Sequence, residues 1–263
     1  EKAVVLSLVP TQLARLIGDP AGRTWLEHFS VIWVGGAALS DELAQRARSA
    51  GLRLSPCYGA TETAAMVTAV APEAFLTGED GCGSPLVDVE LRQNSEGALQ
   101  VRTPRLAACC WSADQPNQLL SLTDAAGWWT SGDAALLEPS QLGPRLLIQG
   151  RLDGALLSGG EVVFPERLEQ CLWRGAQSHD LPLRDVLIVG IPNPVWGQQL
   201  VALVCANKPE ELDALLAALQ KFSAAWSAAE QPKRWLGCAE LKRNAAGKWD
   251  RSYWRGLATK RVQ

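Results

Sequence analysis

The chain has 263 residues, 47% hydrophobic and 20% charged, which is enough for one sizeable core or two modest ones and too apolar for a disordered segment. Its 25 Lys and Arg stand against 28 Asp and Glu, a formal charge of -3 with no long run of one sign, which excludes an electrostatic nucleic-acid footprint. The two histidines, His28 and His179, leave too little material for a His-rich metal site.

The segment AVVLSLVP predicts an apolar strand stopped at Pro10, and TQLARLI a short helix with Leu13, Leu16 and Ile17 on one side. VIWVGG predicts a buried strand entering a tight turn at Gly35 and Gly36. Ser40 is placed to cap the next helix, where Leu39, Leu43 and Ala47 recur at helical spacing. Strand, Gly-rich turn and helix in succession are the grammar of an α/β layer. LRLSPCYGATETAAMV then sets a polar cluster between two apolar segments. From Gly78 to Leu147 short apolar runs punctuated by GSP, SEG and DAAGWW predict a mostly β subdomain. A second change comes at GRLDG. Beyond it Pro165 opens a helix, DVLIVGI and QQLVALVCA read as strands separated by the turn NPVWG, and ELDALLAALQKF is amphipathic through Leu212, Leu215, Leu216, Leu219 and Phe222. The expected fold is α/β: an α/β layer plus a β-rich subdomain over 1–151, and a small α+β domain over 152–263 behind a short charged boundary suited to a hinge.

Cys57, Cys82, Cys109, Cys110, Cys171, Cys205 and Cys238 are odd in number, and no CxxC pair occurs. Adjacent Cys109 and Cys110 are poor partners for each other. With no secretory leader in the sequence, the expectation is reduced, mostly buried thiols in the cytoplasm. The eleven tryptophans are expected in cores or half-buried seams, with Trp196 the best candidate for a further role. No apolar stretch approaches the roughly 20 residues of a membrane helix, so no membrane insertion is expected.

Four clusters could carry chemistry. Tyr58-Gly59-Ala60-Thr61-Glu62-Thr63 offers an aromatic ring and two hydroxyls beside a carboxylate, fit for a nucleotide and Mg²⁺, or equally for a turn in which Thr61 or Thr63 caps a helix. In Trp128-Trp129-Thr130-Ser131-Gly132-Asp133 the carboxylate of Asp133 is either a turn residue or an acceptor for ribose hydroxyls. Arg151, in Gly150-Arg151-Leu152-Asp153, either stabilises phosphate charge or forms a surface ion pair with Asp153; Ser158-Gly159-Gly160-Glu161 follows shortly. Lys248, in Asn244-Ala245-Ala246-Gly247-Lys248-Trp249-Asp250-Arg251, suits charge developing on a phosphoryl group, or is a solvated lysine. Neither GxGxxG nor GxxxxGK[ST] occurs.

In this order and spacing the clusters resemble the acyl-adenylate-forming superfamily of acyl-CoA synthetases, luciferases and peptide-synthetase adenylation domains: YGATE its Tyr-Gly-x-Thr-Glu motif, TSGD its Thr-Gly-Asp motif, GRLDG its Gly-Arg hinge and NAAGKWDR its C-terminal Asn-x-x-Gly-Lys-x-x-Arg motif. VGGAALSDEL, SGGEVVFPERLE and IPNPVWGQQLVAL are further similar to the o-succinylbenzoate-CoA ligase family of menaquinone and phylloquinone biosynthesis. The resemblance implies the C-terminal half of an AMP-forming acyl-CoA synthetase: the C-terminal portion of the large AMP-binding domain, then a small mobile domain. It implies Thr61 on phosphate, Glu62 on Mg²⁺, Tyr58 with Gly59 near adenine, Asp133 on the ribose and Arg151 on the same nucleotide. Lys248 would bind the acyl carboxylate and α-phosphate during adenylation. Gly35, Gly36 and Ala37 would line the acyl pocket, Ser158 and Gly159 would lie near the pantetheine tunnel, and Asp153 would be the hinge. The implied ligands are ATP, Mg²⁺, coenzyme A as co-substrate and a small aromatic carboxylate; a homo-oligomer is left open.

The sequence departs from the family pattern in four places. The phosphate loop and its lysine, expected before residue 1, are absent; Ser131 looks inserted; Gly154 replaces a second acid; and Lys242 stands where a Pro often does. Two rivals follow from these departures: a ligase for another aryl or fatty acid, and a non-catalytic truncated binding protein.

Overall fold

The computed structural model describes residues 4–112, 115–140, 143–243 and 249–262. The chain divides into two units, Glu1–Gln149 and Gly150–Gln263.

In the first unit β1 (Val5–Leu8), α1 (Pro10–Gly18), α2 (Pro20–Leu26), β2 (Val31–Val34), α3 (Asp41–Ser49), β3 (Leu54–Gly59), β4 (Met66–Ala69), α4 (Pro72–Leu76) and β5 (Ser84–Pro85) build one layer. Its sheet runs β1-β2-β3-β4-β5, with β1, β2 and β3 parallel and β4 and β5 antiparallel. Ile32 and Val34 alternate inward from β2 onto Leu13, Leu26, Leu43, Ala47 and Phe75, one apolar cluster between sheet and helices. Ser40 caps α3 as expected, its Oγ accepting the Leu43 N–H at 3.3 Å.

The β-rich part holds β6 (Glu90–Gln93), β7 (Ala98–Arg102), β8 (Cys109–Ser112), β9 (Gln115–Ser121), β10 (Trp129–Glu138) and β11 (Arg145–Arg151). Strands β11-β10-β7-β6 form one sheet over a core of Val67, Leu99, Val101, Trp129 and Leu146, while β8 and β9 pair as a two-stranded sheet. That narrow sheet explains a correction to the thiol expectation. Cys109 and Cys110 on β8 are exposed, Cys57, Cys82, Cys171 and Cys238 are half-buried, and Cys205 alone is buried. Trp25 and Trp111 likewise stand out in solvent, at 47% and 63% exposure, rather than in a core.

The second unit holds β12 (Leu156–Ser158), β13 (Glu161–Val163), α5 (Pro165–Ser178), β14 (Leu183–Asn193), β15 (Gly197–Ala206), α6 (Leu212–Ser223), β16 (Arg234–Gly237) and α7 (Arg251–Val262). The sheet runs β13-β12-β15-β14 with β16 parallel beside β15. Both faces are covered. Val186, Ile188, Leu200, Ala202 and Val204 pack with α5 and α6, while Leu187, Val189, Val201, Leu203 and Cys205 pack with Trp254 and Ala258 of α7. Burial on two sides is why DVLIVGI and LVALVC read as unbroken apolar runs. Among the described residues no helix is long and apolar enough to cross a membrane.

Candidate functional site

Parallel strands β1, β2 and β3 deliver their C-terminal ends to one edge of the sheet, the edge where open α/β sheets take ligands. Gly35, Gly36 and Ala37 leave β2 there, with Gly36 and Ala37 exposed. The Gly35 N–H donates to the Leu8 carbonyl at 3.2 Å, and a Cβ on Gly35 would stand 2.9 Å from Cys57 Sγ. The close pass over β3 therefore favours glycine, since a larger residue would have to displace the Cys57 side chain.

Tyr58 and Gly59 end β3, at a register shift against β4. A Cβ on Gly59 would lie 2.4 Å from the Ala65 carbonyl oxygen, so that position admits only glycine. The chain then makes a 3-10 turn at Thr61–Thr63. Thr63 is fully buried; its hydroxyl accepts the Ala60 N–H at 3.0 Å and donates to the Ala65 carbonyl at 2.7 Å. Of the two threonines offered for a cap, Thr63 takes the structural part. Thr61 is left exposed and Glu62 half-buried.

Asp133 reaches this cluster from β10. The pairing of β10 with β7 shifts between Thr130 and Ala134, and Ser131, Gly132 and Asp133 occupy that irregularity. The residue that looked inserted is thus the one that shapes the bend: Ser131 is 4% exposed, and its Oγ accepts the Asp133 N–H at 3.1 Å. The Tyr58 hydroxyl donates to Asp133 Oδ2 at 2.6 Å, joining two clusters 75 residues apart in sequence. Burial first, then the Asp133 carboxylate, push the Tyr58 phenol well above its ordinary value, so it remains a donor at neutral pH. Cys82 beside them is pushed up to about 12 by burial, then by Cys57 and Asp133.

A carboxylate anchored by a phenol, next to an exposed hydroxyl and a second acid, is chemically suited to a polyhydroxylated, phosphorylated ligand. Among the described residues no three His, Cys, Asp or Glu gather as a metal cage. A divalent cation would draw most of its oxygen ligands from phosphate, with Glu62 as the acid supplied by the chain.

The second unit carries the remaining candidates. Arg151 ends β11 and forms a two-pronged pair with Asp153, at 3.2 and 3.1 Å, with both side chains more than half exposed. That pair holds the Asp153 carboxyl below its usual range and realises the surface ion-pair alternative. Ser158 is buried at the end of β12, opposite Gly197. Gly159, at φ +58, donates its N–H to the Trp196 carbonyl at 2.9 Å, and a Cβ there would meet the Trp196 ring at 2.6 Å. Trp196 thus covers the Ser158-Gly159 turn. Lys248, with Asn244 to Gly247, lies outside the described residues.

Sequence reasoning missed the anchor of that last motif. Arg251 donates to both oxygens of Glu169 at 2.9 Å and to the Ile188 carbonyl at 2.8 Å, and lies 3.1 Å from Glu166. Glu169 also accepts the Ile188 N–H at 2.7 Å. The signal was available: Arg251 closes the C-terminal motif, and Glu166 and Glu169 lie three apart on one helical face.

Residues 1–107 match the family described as AMP-binding enzyme. The chain is 30% identical over 252 residues to the 2-succinylbenzoate-CoA ligase of Salmonella typhimurium, a match covering 92% of this chain and 50% of that one. It is 31% identical over 252 residues to the same ligase of Escherichia coli, again 92% of this chain and 50% of the relative. The structure of wild-type Escherichia coli MenE with a bound m-phenylether-linked analogue of OSB-AMS superposes with a TM-score of 0.75 at 28% identity, over 98% of this chain and 51% of that one. The chain spans about half the length of the curated relatives it matches, and its architecture is that of a truncated adenylate-forming fold.

Proposed function

We propose that this chain, similar over residues 1–107 to AMP-binding enzymes and over 92% of its length to 2-succinylbenzoate-CoA ligases, is the C-terminal half of an ATP- and Mg²⁺-dependent acid-thiol ligase that makes o-succinylbenzoyl-CoA in menaquinone biosynthesis. The observation that carries this proposal is the Tyr58–Asp133 hydrogen bond at 2.6 Å, which brings two separated motifs together near the ligand edge of the sheet.

The reaction has two halves. The acid's carboxylate attacks the α-phosphorus of ATP, giving acyl-AMP and pyrophosphate; the CoA thiol then attacks the acyl carbon, giving the thioester and AMP. Asp133, oriented by Tyr58, accepts hydrogen bonds from the ribose hydroxyls, and Thr61 donates its hydroxyl to phosphate oxygen. Glu62 would hold Mg²⁺, which would supply charge neutralisation on the phosphate oxygens. Arg151 exchanges its partner Asp153 for nucleotide, and Lys248 neutralises the carboxylate and α-phosphate while they react. Gly35, Gly36 and Ala37 face the aromatic acid; Ser158 and Gly159 border the path of the thiol. Residues 1–151 act as the end of the large AMP-binding domain and 152–263 as a small mobile domain turning about Asp153, which takes Lys248 away before the thiol arrives. The work is done in the cytoplasm.

The test is acid-dependent ATP-pyrophosphate exchange by the full-length protein. o-Succinylbenzoate should drive exchange. Exchange driven only by a benzoate or a fatty acid would reassign the substrate, and exchange with no acid at all would refute the proposal.

A further inference from the structure

Cys205 and Cys238 meet on one face of the second unit's sheet. Strands β15 and β16 run parallel in the register Leu203↔Leu236 and Val204↔Gly237. The next step, made by the Cys238 N–H donating to the Val204 carbonyl at 2.8 Å, sets Cys238 beside Cys205. Alternation along the strands sends both thiols to the side where Leu203, Leu236 and Trp254 pack. Neighbouring strands lie about 4.7–4.9 Å apart, inside the roughly 4.4–6.8 Å window of Cα separations that a disulfide spans.

The two thiols differ in access. Cys205 is fully buried, whereas Cys238 is half-buried. Each has a guanidinium at hand. Arg184 and Asp185 lie near Cys205, and Arg261 faces Cys238 while donating to the Gly237 carbonyl at 3.3 Å. Burial lifts both thiols above their ordinary value, and each arginine pulls its own thiol back down. The pair therefore combines proximity, one accessible sulfur and positive charge where a thiolate would form.

We propose that Cys205 and Cys238 form a dithiol modification site that a low-molecular-weight disulfide, such as glutathione disulfide, oxidises to an intramolecular bridge. Cys238 releases its proton to solvent and its thiolate attacks one sulfur of the small disulfide. That S–S bond breaks, a Cys238 mixed disulfide forms, and one glutathione thiolate leaves and takes up a proton. Cys205 then attacks Cys238 Sγ, and its proton passes to the second glutathione sulfur, which leaves as a thiol. Two cysteines are oxidised and one small disulfide is reduced to two thiols. Cys205 needs no route to solvent, because its electrophile is the neighbouring sulfur. The bridge fixes β16 to β15 just ahead of the segment that leads to Lys248, and it is independent of the proposed ligase activity.

The test uses the protein in a Cys109→Ser/Cys110→Ser background, which removes the exposed thiols, incubated with glutathione disulfide and mapped by non-reducing peptide mass spectrometry. The expected product is a Cys205–Cys238 linked peptide, with the protein lighter by two hydrogens and restored by dithiothreitol. Adding Cys205→Ser should trap a glutathionyl group on Cys238; the map of the Cys205-containing protein decides the matter even if that variant misfolds. A mixed disulfide that persists on Cys238 beside an intact Cys205, a bridge between another pair in its place, or no reaction at either cysteine would overturn the proposal.

Discussion

Replacing Arg251 by Ala should destabilise the second unit by about 3–5 kcal/mol at neutral pH, the usual cost of removing one partner of a buried ion pair. Arg251 supplies Glu169 with two hydrogen bonds of 2.9 Å, supplies the Ile188 carbonyl with one of 2.8 Å, and lies 3.1 Å from Glu166. Without it the buried Glu169 carboxylate is left beside half-buried Glu166, and the Ile188 carbonyl loses a donor. The loss should depend on pH. Burial already lifts the Glu169 carboxyl above the ordinary 4.5, opposed mainly by Arg251. Removing Arg251 lifts it further, so the folded variant holds a proton that the unfolded chain releases. A carboxyl raised in this way contributes stability that is fully present below its unfolded pKa and lost as pH rises through the folded one, about 1.4 kcal/mol for each unit between them. Urea unfolding followed by tryptophan fluorescence at several pH values measures this directly. The deficit should be small near the ordinary carboxylate range and full at neutral pH. Glu169→Gln added to Arg251→Ala should recover most of it, since the amide oxygen still accepts the Ile188 N–H. A deficit below about 1 kcal/mol at neutral pH, or one that is flat with pH, would refute the account of the pair, because a buried unpaired carboxylate must cost several times that.

Asp133→Asn should weaken AMP binding by the full-length protein about tenfold, the value of one charge-assisted hydrogen bond, with Tyr58→Phe giving a smaller loss; calorimetric titration showing wild-type affinity for both would remove Asp133 from the nucleotide site. Gly59→Ala should destabilise the first unit by about 1–3 kcal/mol in a denaturant titration, since its Cβ would sit 2.4 Å from a backbone oxygen. In the full-length protein Lys248→Ala should cut acyl-AMP formation far more than thioester formation from supplied acyl-AMP, and equal losses would contradict its assignment to one half-reaction. An aromatic disulfide reagent should titrate exposed Cys109 and Cys110 quickly, and half-buried Cys82, with its raised thiol, far more slowly. Because the Cys82 thiol is raised, its contribution to stability is fully present below the ordinary 9.0 and lost as pH climbs to about 12.

Much of the fold was legible because its apolar segments keep strict periods. β2, α3, α5, the β14–β15 hairpin and α6 all fall where spacing and turn residues put them. The helix α2 was missed although its signal was present: Pro20 is its first residue, and Asp19 caps it by accepting the Gly22 N–H at 3.0 Å. In the site, residue order and type pointed to Tyr58 and Asp133, but no local pattern says that they touch. That contact depends on a bulge in β10, and bulges leave almost no trace in sequence. The partition between Thr61 and Thr63 was hidden for a similar reason, since both suit a cap and only burial separates them. The exposed Cys109 and Cys110 escaped because residue type predicts average burial, whereas their exposure comes from the narrow β8–β9 sheet.

The measurement that bears most directly on the central claim is mass spectrometry of the products formed by the full-length protein from ATP, Mg²⁺, CoA and a panel of o-succinylbenzoate, benzoates and fatty acids. o-Succinylbenzoyl-AMP in the absence of CoA, converted to o-succinylbenzoyl-CoA and AMP when CoA is added, is the expected result. No acyl-adenylate from any acid with the folded full-length protein would contradict the account and leave a binding protein in place of a ligase.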